Sequence, residues 1–338
     1  MDELVSIIIP AYNVEGVIAD TITSALNQTW PKKEIIIVDD GSTDGTLAVA
    51  KTFESKLVKV VAQPNKGASA ARNEGLRFAQ GSYIQWLDAD DLLTQDKVSR
   101  QLKFADRGQD GRVLLTSSFV TFYFCHQRSQ INPTILWQDL SPVDWLMNKF
   151  KGNVWMNPAV WLVSRKLTEL AGPWDERLVR DNDGEYICRV VAASERVQFV
   201  GEAMSYYRVG NLGSLSTSTS DKTCESLVLA LSLSIQYLLS LENSERTRSA
   251  CLNLLQIWVP FLYPDKEEWL RKMDVLASQL GGQLTPPEVS WKYYLIKKCF
   301  GWKTTKKVIT ECRRTKLKAV KTLDRVLHDT IYKSRILS

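Results

Sequence analysis

The chain of 338 residues is poor in the side chains that hold metals and crosslinks: it has two histidines, and none of its six cysteines forms a C-x-x-C pair. A zinc site or a disulfide framework is therefore not expected, and a reducing cytoplasm is the simpler setting. No G-x-G-x-x-G follows the first apolar run, which argues against a dinucleotide-dependent dehydrogenase. The start, MDELVSIIIP, lacks the positive charge and small-residue cleavage site of a signal peptide. The longest mostly apolar stretch, 227–241, is interrupted by Ser and Gln and is too short to span a bilayer, so it reads as a core helix. Internal repeats and long low-complexity tracts are missing as well.

What is present suits an ordinary globular protein of two or three domains, with 44% hydrophobic and 24% charged residues. The charge is uneven. Residues 291–338 carry 14 Lys/Arg against 3 Asp/Glu, whereas the rest carries 29 against 35. A basic tail on a slightly acidic body has three readings: a solvated helical face, an anionic membrane surface, or nucleic acid. Trp291, Tyr293, Tyr294, Phe300 and Trp302 interleave with its lysines, which favours the membrane surface. No nucleic-acid-binding module is recognisable, so no nucleic acid is expected.

The first ninety residues alternate. Continuous apolar runs at 5–10, 34–39, 58–62 and 83–87 predict buried strands. Ile18, Ile22, Ala25 and Leu26 share a helical face, and 43–54 and 68–79 read as further helices. Strand–helix repetition means βαβ units and a parallel sheet, whose ligands bind beyond the carboxyl ends of the strands. After a helix at 94–106 the pattern changes: 113–124 is β-rich, 182–193 helical, 197–200 a short strand, 205–208 an edge. A mixed sheet is expected, then a linker at 211–220 and helices only from about 222. Val320, Leu323, Leu327 and Ile331 keep helical spacing in the tail. The implied division is 1–110, 111–220 and 221–338.

Three constellations sit at predicted strand ends. Asp88 and Asp90 follow the fourth strand, where carboxylates are the hard oxygen ligands that Mg²⁺ or Mn²⁺ takes together with diphosphate oxygens; a solvated helix entry headed by Asp91 is the plainer reading. Asp39-Asp40-Gly41-Ser42 follows the second strand, and such a carboxylate accepts from a base N–H or a ribose hydroxyl, or else merely starts the next helix as an Asx turn. Arg72 and Asn73 lie near the front of an Ala-rich helix, after the turn at Lys66, where a guanidinium can fork onto a ligand oxygen or pair with an acid on the surface.

VSIIIPAYN at 5–13, VDDGSTDGT at 38–46, NKGASAARNEG at 65–75 and DADD at 88–91 together resemble the inverting family-2 glycosyltransferases of the GT-A fold. The resemblance is strong over 4–91, looser over 150–210, and supplies nothing beyond about 220. It implies an α/β, Rossmann-like mixed sheet flanked by helices, to which the sequence adds an all-helical C-terminal region. It implies that Pro10, Ala11, Tyr12 and Asn13 line a nucleotide pocket through backbone groups. Asp39 would meet the base with Asp40 and Lys66 beside it, Arg72 would support it, and Asp88 would sit at the ribose and the cation's water shell. Ala89 lies between, and Asp90 would ligate the cation.

AGPWDE at 171–176 is similar to the family's Gly-x-Phe-Asp-Glu segment, with Trp174 in place of Phe. The family's Glu-Asp pair, whose Asp is the general base, matches Asn182-Asp183. Asp183 is the expected base, Asp181 the second choice, and Glu185 lies close by. A carboxylate at a helix start is also an ordinary cap. Arg208, with the loop at 213–216, would help close over the diphosphate, and Trp155 and Trp174 would face the acceptor.

The reading is an inverting, metal-dependent glycosyltransferase. It would move a sugar from a nucleoside diphosphate donor, UDP-sugar being the expected one, to a saccharide or lipid-linked acceptor in cell-surface glycan synthesis, peripheral at the cytoplasmic face of the membrane. The alternative is a non-catalytic sugar-nucleotide or glycan binder on the same scaffold, favoured by Asn182 where the family has Glu. A nucleotidyltransferase is disfavoured because AYNVEG stands where its basic, Gly-rich loop would be.

Overall fold

A computed structural model of the chain describes residues 3–105, 111–124, 129–209 and 220–327. Strands β1 (Val5–Ala11), β2 (Lys33–Asp39), β3 (Val58–Ala62) and β4 (Tyr83–Trp86) pair in parallel in the order β3-β2-β1-β4. Successive side chains on a strand point to opposite faces. Ile7, Ile9, Ile35 and Ile37 therefore pack on one side, against Ile18, Ile22 and Ala25 of α1 (Ile18–Leu26) and Ala50 of α2 (Thr46–Lys51). Ile8, Ile36, Val38, Ile84 and Trp86 pack on the other, with Ala71 of α3 (Ala68–Phe78). Both faces are covered, which explains the unbroken apolar runs. Because α1 and α2 lie on one face and α3 on the other, the winding reverses between β1 and β4. A crevice opens there, outside the carboxyl ends of these strands.

The second half adds β5 (Leu92–Leu93), α4 (Lys97–Leu102), β6 (Val113–Phe122), β7 (Gln130–Ile131), α5 (Pro142–Gly152), β8 (Leu162–Ser164), α6 (Arg165–Ala171), α7 (Asn182–Ala193) and β9 (Arg196–Arg208). β8 runs antiparallel to both β4 and β6, β9 parallel to β6, and β5 antiparallel to β9. The described residues thus form a nine-stranded mixed sheet, β3-β2-β1-β4-β8-β6-β9-β5, with β7 on β6.

Several expectations change. The segments 197–200 and 205–208 belong to one strand, β9, which lies inside the sheet and not at its edge. The polar break between them is a bulge: register jumps from Ser117↔Val200 to Ser118↔Met204, and the Ser118 hydroxyl donates to the carbonyls of Gly201 and Ala203 at 3.2 and 2.8 Å. α2 starts at Thr46 and not at 43, because the Asp44 side chain accepts from the Thr46 N–H and holds the preceding turn. The linker expected at 211–220 lies, apart from Ser220, outside the described residues, as do Ile331 and Cys125. The other five cysteines are free.

α8 (Asp221–Leu241), α9 (Glu245–Leu262), α10 (Glu267–Gln279) and α11 (Trp291–Leu327) follow. The Ser220 side chain caps α8 by accepting from the Thr223 N–H, so the helix runs 21 residues, longer than its apolar stretch. By length and composition it is the one described helix that could cross a membrane; half of that window is buried, and it packs against α5, α7, α9 and α10. One hydrophobic core runs from Trp86 and Tyr186 through Cys224, Leu227 and Leu231 to Leu255 and Leu262. Packing is continuous across 220, so the helical region is joined to the sheet half without a gap.

Candidate active site

The crevice is built from the carboxyl ends of β2, β1 and β4. Asp39 ends β2 opposite Ala11 of β1, and Asp88 follows β4 on the far side of β1. Two strand spacings separate the two acids, about 10 Å. Asp39 is buried; its Oδ2 accepts from the Ser42 N–H at 3.2 Å, while its Oδ1 is buried with no hydrogen-bond partner. A bare buried carboxylate oxygen is costly unless something donates to it. The next residue differs. Asp40 gives both oxygens to the fold, accepting from Gln63 Nε2, Lys66 N and Gly67 N at 2.7–2.8 Å. Asp40 therefore pins the 63–67 turn, and Lys66 takes part through its backbone with its side chain exposed. Gly41 sits at φ 72° with a would-be Cβ 2.7 Å from Asn65 N, so only glycine fits between these turns.

Pro10–Asn13 form the adjoining rim. Ala11 is buried, and its carbonyl accepts from Asp40 N at 2.8 Å. Asn13, at φ 50°, donates its N–H to Ser42 Oγ and accepts the Thr43 N–H on its Oδ1, strapping the two loops together. Tyr12 is half exposed at the mouth.

Arg72 is buried on α3. Its Nη2 donates to Asp88 Oδ1 at 2.7 Å, its guanidinium lies 4.2 Å from the Trp174 ring centroid, and its Nε and Nη1 have no hydrogen-bond partner. Asp88 is more open, with 29% of its side chain exposed. The Ala89 carbonyl accepts from Thr21 Oγ1 on α1, and the Asp90 carbonyl accepts from Arg208 Nε, both at 2.9 Å. Asp91 does not head a helix. It is fully buried, accepting from Asn157 Nδ2 and the Arg208 N–H. Burial, then the charges of Asp90 and Asp88, push its carboxyl well above the usual range.

Arg208 also donates to the Tyr123 carbonyl at 3.1 Å and lies over the Phe122 ring. Its neighbour Tyr207 is held above the ordinary phenol range, by burial first and then by Asp91, Asp88, Asp183 and Asp90. Four acids from two halves of the chain thus act on one side chain. α11 returns to this rim as well: Asp324 Oδ2 accepts the Phe124 N–H at 2.9 Å. Nothing in the sequence of 291–338 pointed to that contact, nor did any motif mark Asn157 or Tyr207.

Across the crevice, Asp183 stands in the first turn of α7. It lines a small hollow with Trp86, Met156, Pro158, Trp161, Trp174, Tyr186 and Ile187. Asp181 caps the helix at φ 55°, with its carboxylate against Gly184, where a Cβ would come within 2.2 Å. Burial raises its pKa to about 6, with Asp183 adding to the rise and Lys149 and Arg180 opposing it. Lys149 of α5 is the cation facing this pair. Burial works against its charge, but Cys188, Asp181 and Asp183 outweigh that and lift its pKa. Asn182 donates to Ser69 Oγ at 3.2 Å and accepts the Asp183 N–H, tying α7 to α3. Glu185 is spoken for: fully buried, it accepts from Arg189 Nε at 2.9 Å and the Tyr237 hydroxyl at 2.7 Å. Ser226 of α8 binds the Val179 and Arg180 N–H groups and the Arg180 carbonyl, all at 2.9 Å. The helical region therefore positions the segment that carries Asp181 and Asp183.

The two expected acceptor aromatics part company. Trp155 is 46% exposed and leans on Tyr207, ring centroids 4.9 Å apart. Trp174 is 3% exposed and stacked on Tyr186 at 4.0 Å, with Arg72 on its ring as well. It is core and offers no open face to a sugar, because the segment it belongs to is fastened to Asn73 through its own N–H and carbonyl.

Among the described residues no group of three or more His, Cys, Asp or Glu is placed to hold a metal by itself. The surplus negative charge that lifts Asp91 is nonetheless what a divalent cation would offset. A site with one or two carboxylates fits a cation whose remaining oxygens come from a diphosphate and water.

Residues 6–151 match the family model "Glycosyl transferase family 2". The chain is 46% identical over 105 residues to the Escherichia coli protein "UDP-Glc:alpha-D-GlcNAc-diphosphoundecaprenol beta-1,3-glucosyltransferase WfaP", spanning 31% of this chain and 42% of that one. It is 29% identical over 241 residues to "Glycosyltransferase GlyA" of Streptococcus pneumoniae serotype 4 (strain ATCC BAA-334 / TIGR4), 69% of this chain and 34% of that one. The chain thus spans less than half the length of these curated relatives. Among solved structures it resembles S. aureus TarS 1-349 in complex with UDP, with a TM-score of 0.62, 16% identity, and 91% of each chain covered. At that identity the likeness establishes the fold.

Proposed function

Since residues 6–151 belong to glycosyl transferase family 2, we propose that the protein is an inverting glycosyltransferase that takes a sugar from a nucleoside diphosphate, UDP-sugar being the expected donor. The observation that carries this reading is the unpartnered, buried Oδ1 of Asp39, beside β1 and two strands from Asp88. It offers an acceptor for a base N–H in a crevice whose other rim presents carboxylates toward a diphosphate. The Asp88–Arg72 pair then faces the ribose side, with the Arg72 fork held flat by Trp174. UDP appears in the description of the TarS structure and a diphosphoundecaprenol-linked sugar in the name of WfaP, which supports a uridine donor and a lipid-linked saccharide acceptor at the cytoplasmic face of a membrane.

Asp90, with Asp88 behind it, would hold Mg²⁺ or Mn²⁺, which when bound offsets charge on the departing diphosphate. The chain's own residues do the rest. Asp183 takes the proton from the acceptor hydroxyl. That oxygen bonds to the anomeric carbon as the bond from this carbon to the diphosphate oxygen breaks, and the electron pair leaves with the nucleoside diphosphate. Attack opposite the leaving group inverts the centre in one displacement, as in inverting glycosidases. Arg208, fixed on the Asp90 carbonyl, stands where it can meet leaving-group charge. Trp155, open on Tyr207, supplies a face for the acceptor.

Asp183→Asn tests the reading. Transfer should fall by about a hundredfold or more, the range for a lost general base, while UDP binding by calorimetry stays within about twofold. Full transfer by Asp183→Asn with loss in Asp181→Asn would move the base to Asp181. Wild type that binds UDP but transfers nothing to any saccharide or lipid-linked acceptor would support the non-catalytic binder.

A further inference from the structure

We propose that residues 291–300, the first limb of α11, form an interfacial anchor that lies on an anionic phospholipid surface. α11 is not one rod. It breaks at Gly301, whose φ of 75° and ψ of 177° leave the helical region. Beyond the break the second limb is fastened: Trp302 rests on Tyr263 with ring centroids 5.6 Å apart, Thr305 is fully buried, and Lys306 Nζ donates to the carbonyls of Phe261 and Tyr263 at 2.9 and 2.7 Å. Before the break the limb is bare. Trp291 is 81% exposed, Leu295 70% and Tyr294 56%.

Those three are neighbours on the helix. At 100° per residue, positions 291, 294, 295 and 298 share one face about 100° wide, while 292 and 297 fall on its two flanks. The face is therefore a Trp–Tyr–Leu stripe that ends in Lys298 and is bordered by Lys292 and Lys297. Only Tyr293 and Ile296, on the opposite side, are partly covered by the protein. An apolar stripe aimed outward, with lysines beside it whose stems can lie along the acyl boundary while their charges reach headgroups, is the pattern of a helix lying in a membrane interface. Charge selects the lipid: residues 291–327 carry 12 Lys/Arg against 2 Asp/Glu, complementary to anionic headgroups. This inference does not depend on the donor or on transfer activity.

The test is flotation of the full chain with vesicles of phosphatidylcholine alone or mixed with phosphatidylglycerol. Wild type should float with the mixed vesicles and stay behind with the neutral ones. Lys292→Gln/Lys297→Gln/Lys298→Gln should weaken binding by about a hundredfold, given the contribution of each basic residue near such a surface. Trp291→Ser/Tyr294→Ser/Leu295→Ser should weaken it at least about tenfold. Both triple variants should keep the wild-type melting temperature and UDP affinity, since the substituted side chains are exposed. Wild type left behind by anionic vesicles, or triple variants that float as wild type does, would overturn the anchor. So would a lipid-free dimer that the apolar triple variant converts to monomer, because a second copy would then be what covers the stripe.

Discussion

Asp39→Asn should separate binding from stability in opposite directions. The side chain keeps its shape, so the Ser42 N–H can still find an oxygen at the Oδ2 position, now without the help of charge. At the Oδ1 position an amide replaces a buried oxygen that has no partner in the fold. Leaving a buried polar group unsatisfied costs about 1–3 kcal/mol, and more when it is charged. Removing that charge offsets the weaker Ser42 bond, so the unfolding free energy should stay within about 1 kcal/mol of wild type or rise. Binding should go the other way. A hydrogen bond to a charged acceptor contributes about 1.5–3 kcal/mol, which at 1.36 kcal/mol per decade is about ten- to 150-fold in Kd for UDP. An amide N–H aimed at a base N–H adds repulsion on top of that. Calorimetric titration of UDP and urea denaturation of the same two proteins give both quantities. Unchanged UDP affinity, or a stability loss above about 2 kcal/mol, would mean that Asp39 is a structural turn residue and that the nucleotide sits elsewhere.

Glu185→Gln should act on folding and spare chemistry: it leaves Arg189 and Tyr237 without their buried acceptor, and about 2–4 kcal/mol of stability should be lost with turnover per folded molecule unchanged. The raised Asp181 carboxyl makes a pH prediction. Its folded pKa of about 6 lies above the free value, so the folded state holds its proton more tightly; this contribution to stability is complete below about pH 4 and is lost as pH rises through about 6. Asp181→Asn should therefore stabilise by about 2 kcal/mol at pH 8, and much less near pH 4, in urea melts at the two pH values; asparagine also tolerates the φ of 55° there. Chelation should abolish transfer, Mn²⁺ should restore it, and Asp90→Ala should need far more Mn²⁺ for half-maximal rate; a rate indifferent to chelator removes the cation from the reading.

The sheet half and the rim acids were legible because their signals are local. Unbroken β-branched runs separated by helical spacing specify buried parallel strands, and strand ends then fall where the acids stand. The bulge at 201–203 was not legible, since a polar gap between two apolar runs looks like a loop until a partner strand spans it. Trp174 misled for a similar reason: an aromatic in a motif says nothing about whether Tyr186 already occupies its face.

By itself the sequence determined the order β1 to β4, the chemistry of Asp39, Asp88, Asp90 and Asp183, and the basic character of the tail, because periodicity, turn residues and charge are written in neighbouring letters. Only the tertiary structure decided which acids are consumed and which are offered. Asp40 and Asp39 are adjacent in sequence, yet one is spent on the 63–67 turn and the other keeps a bare oxygen. Asp91 is buried against Asn157, Glu185 is locked to Arg189 and Tyr237, and Ser226 of a distant helix holds the segment before Asp183. Those assignments depend on hydrogen-bond partners tens of residues away, and burial makes each one all-or-none: a carboxylate removed from water must either find its donors within the fold or wait for a ligand to bring them.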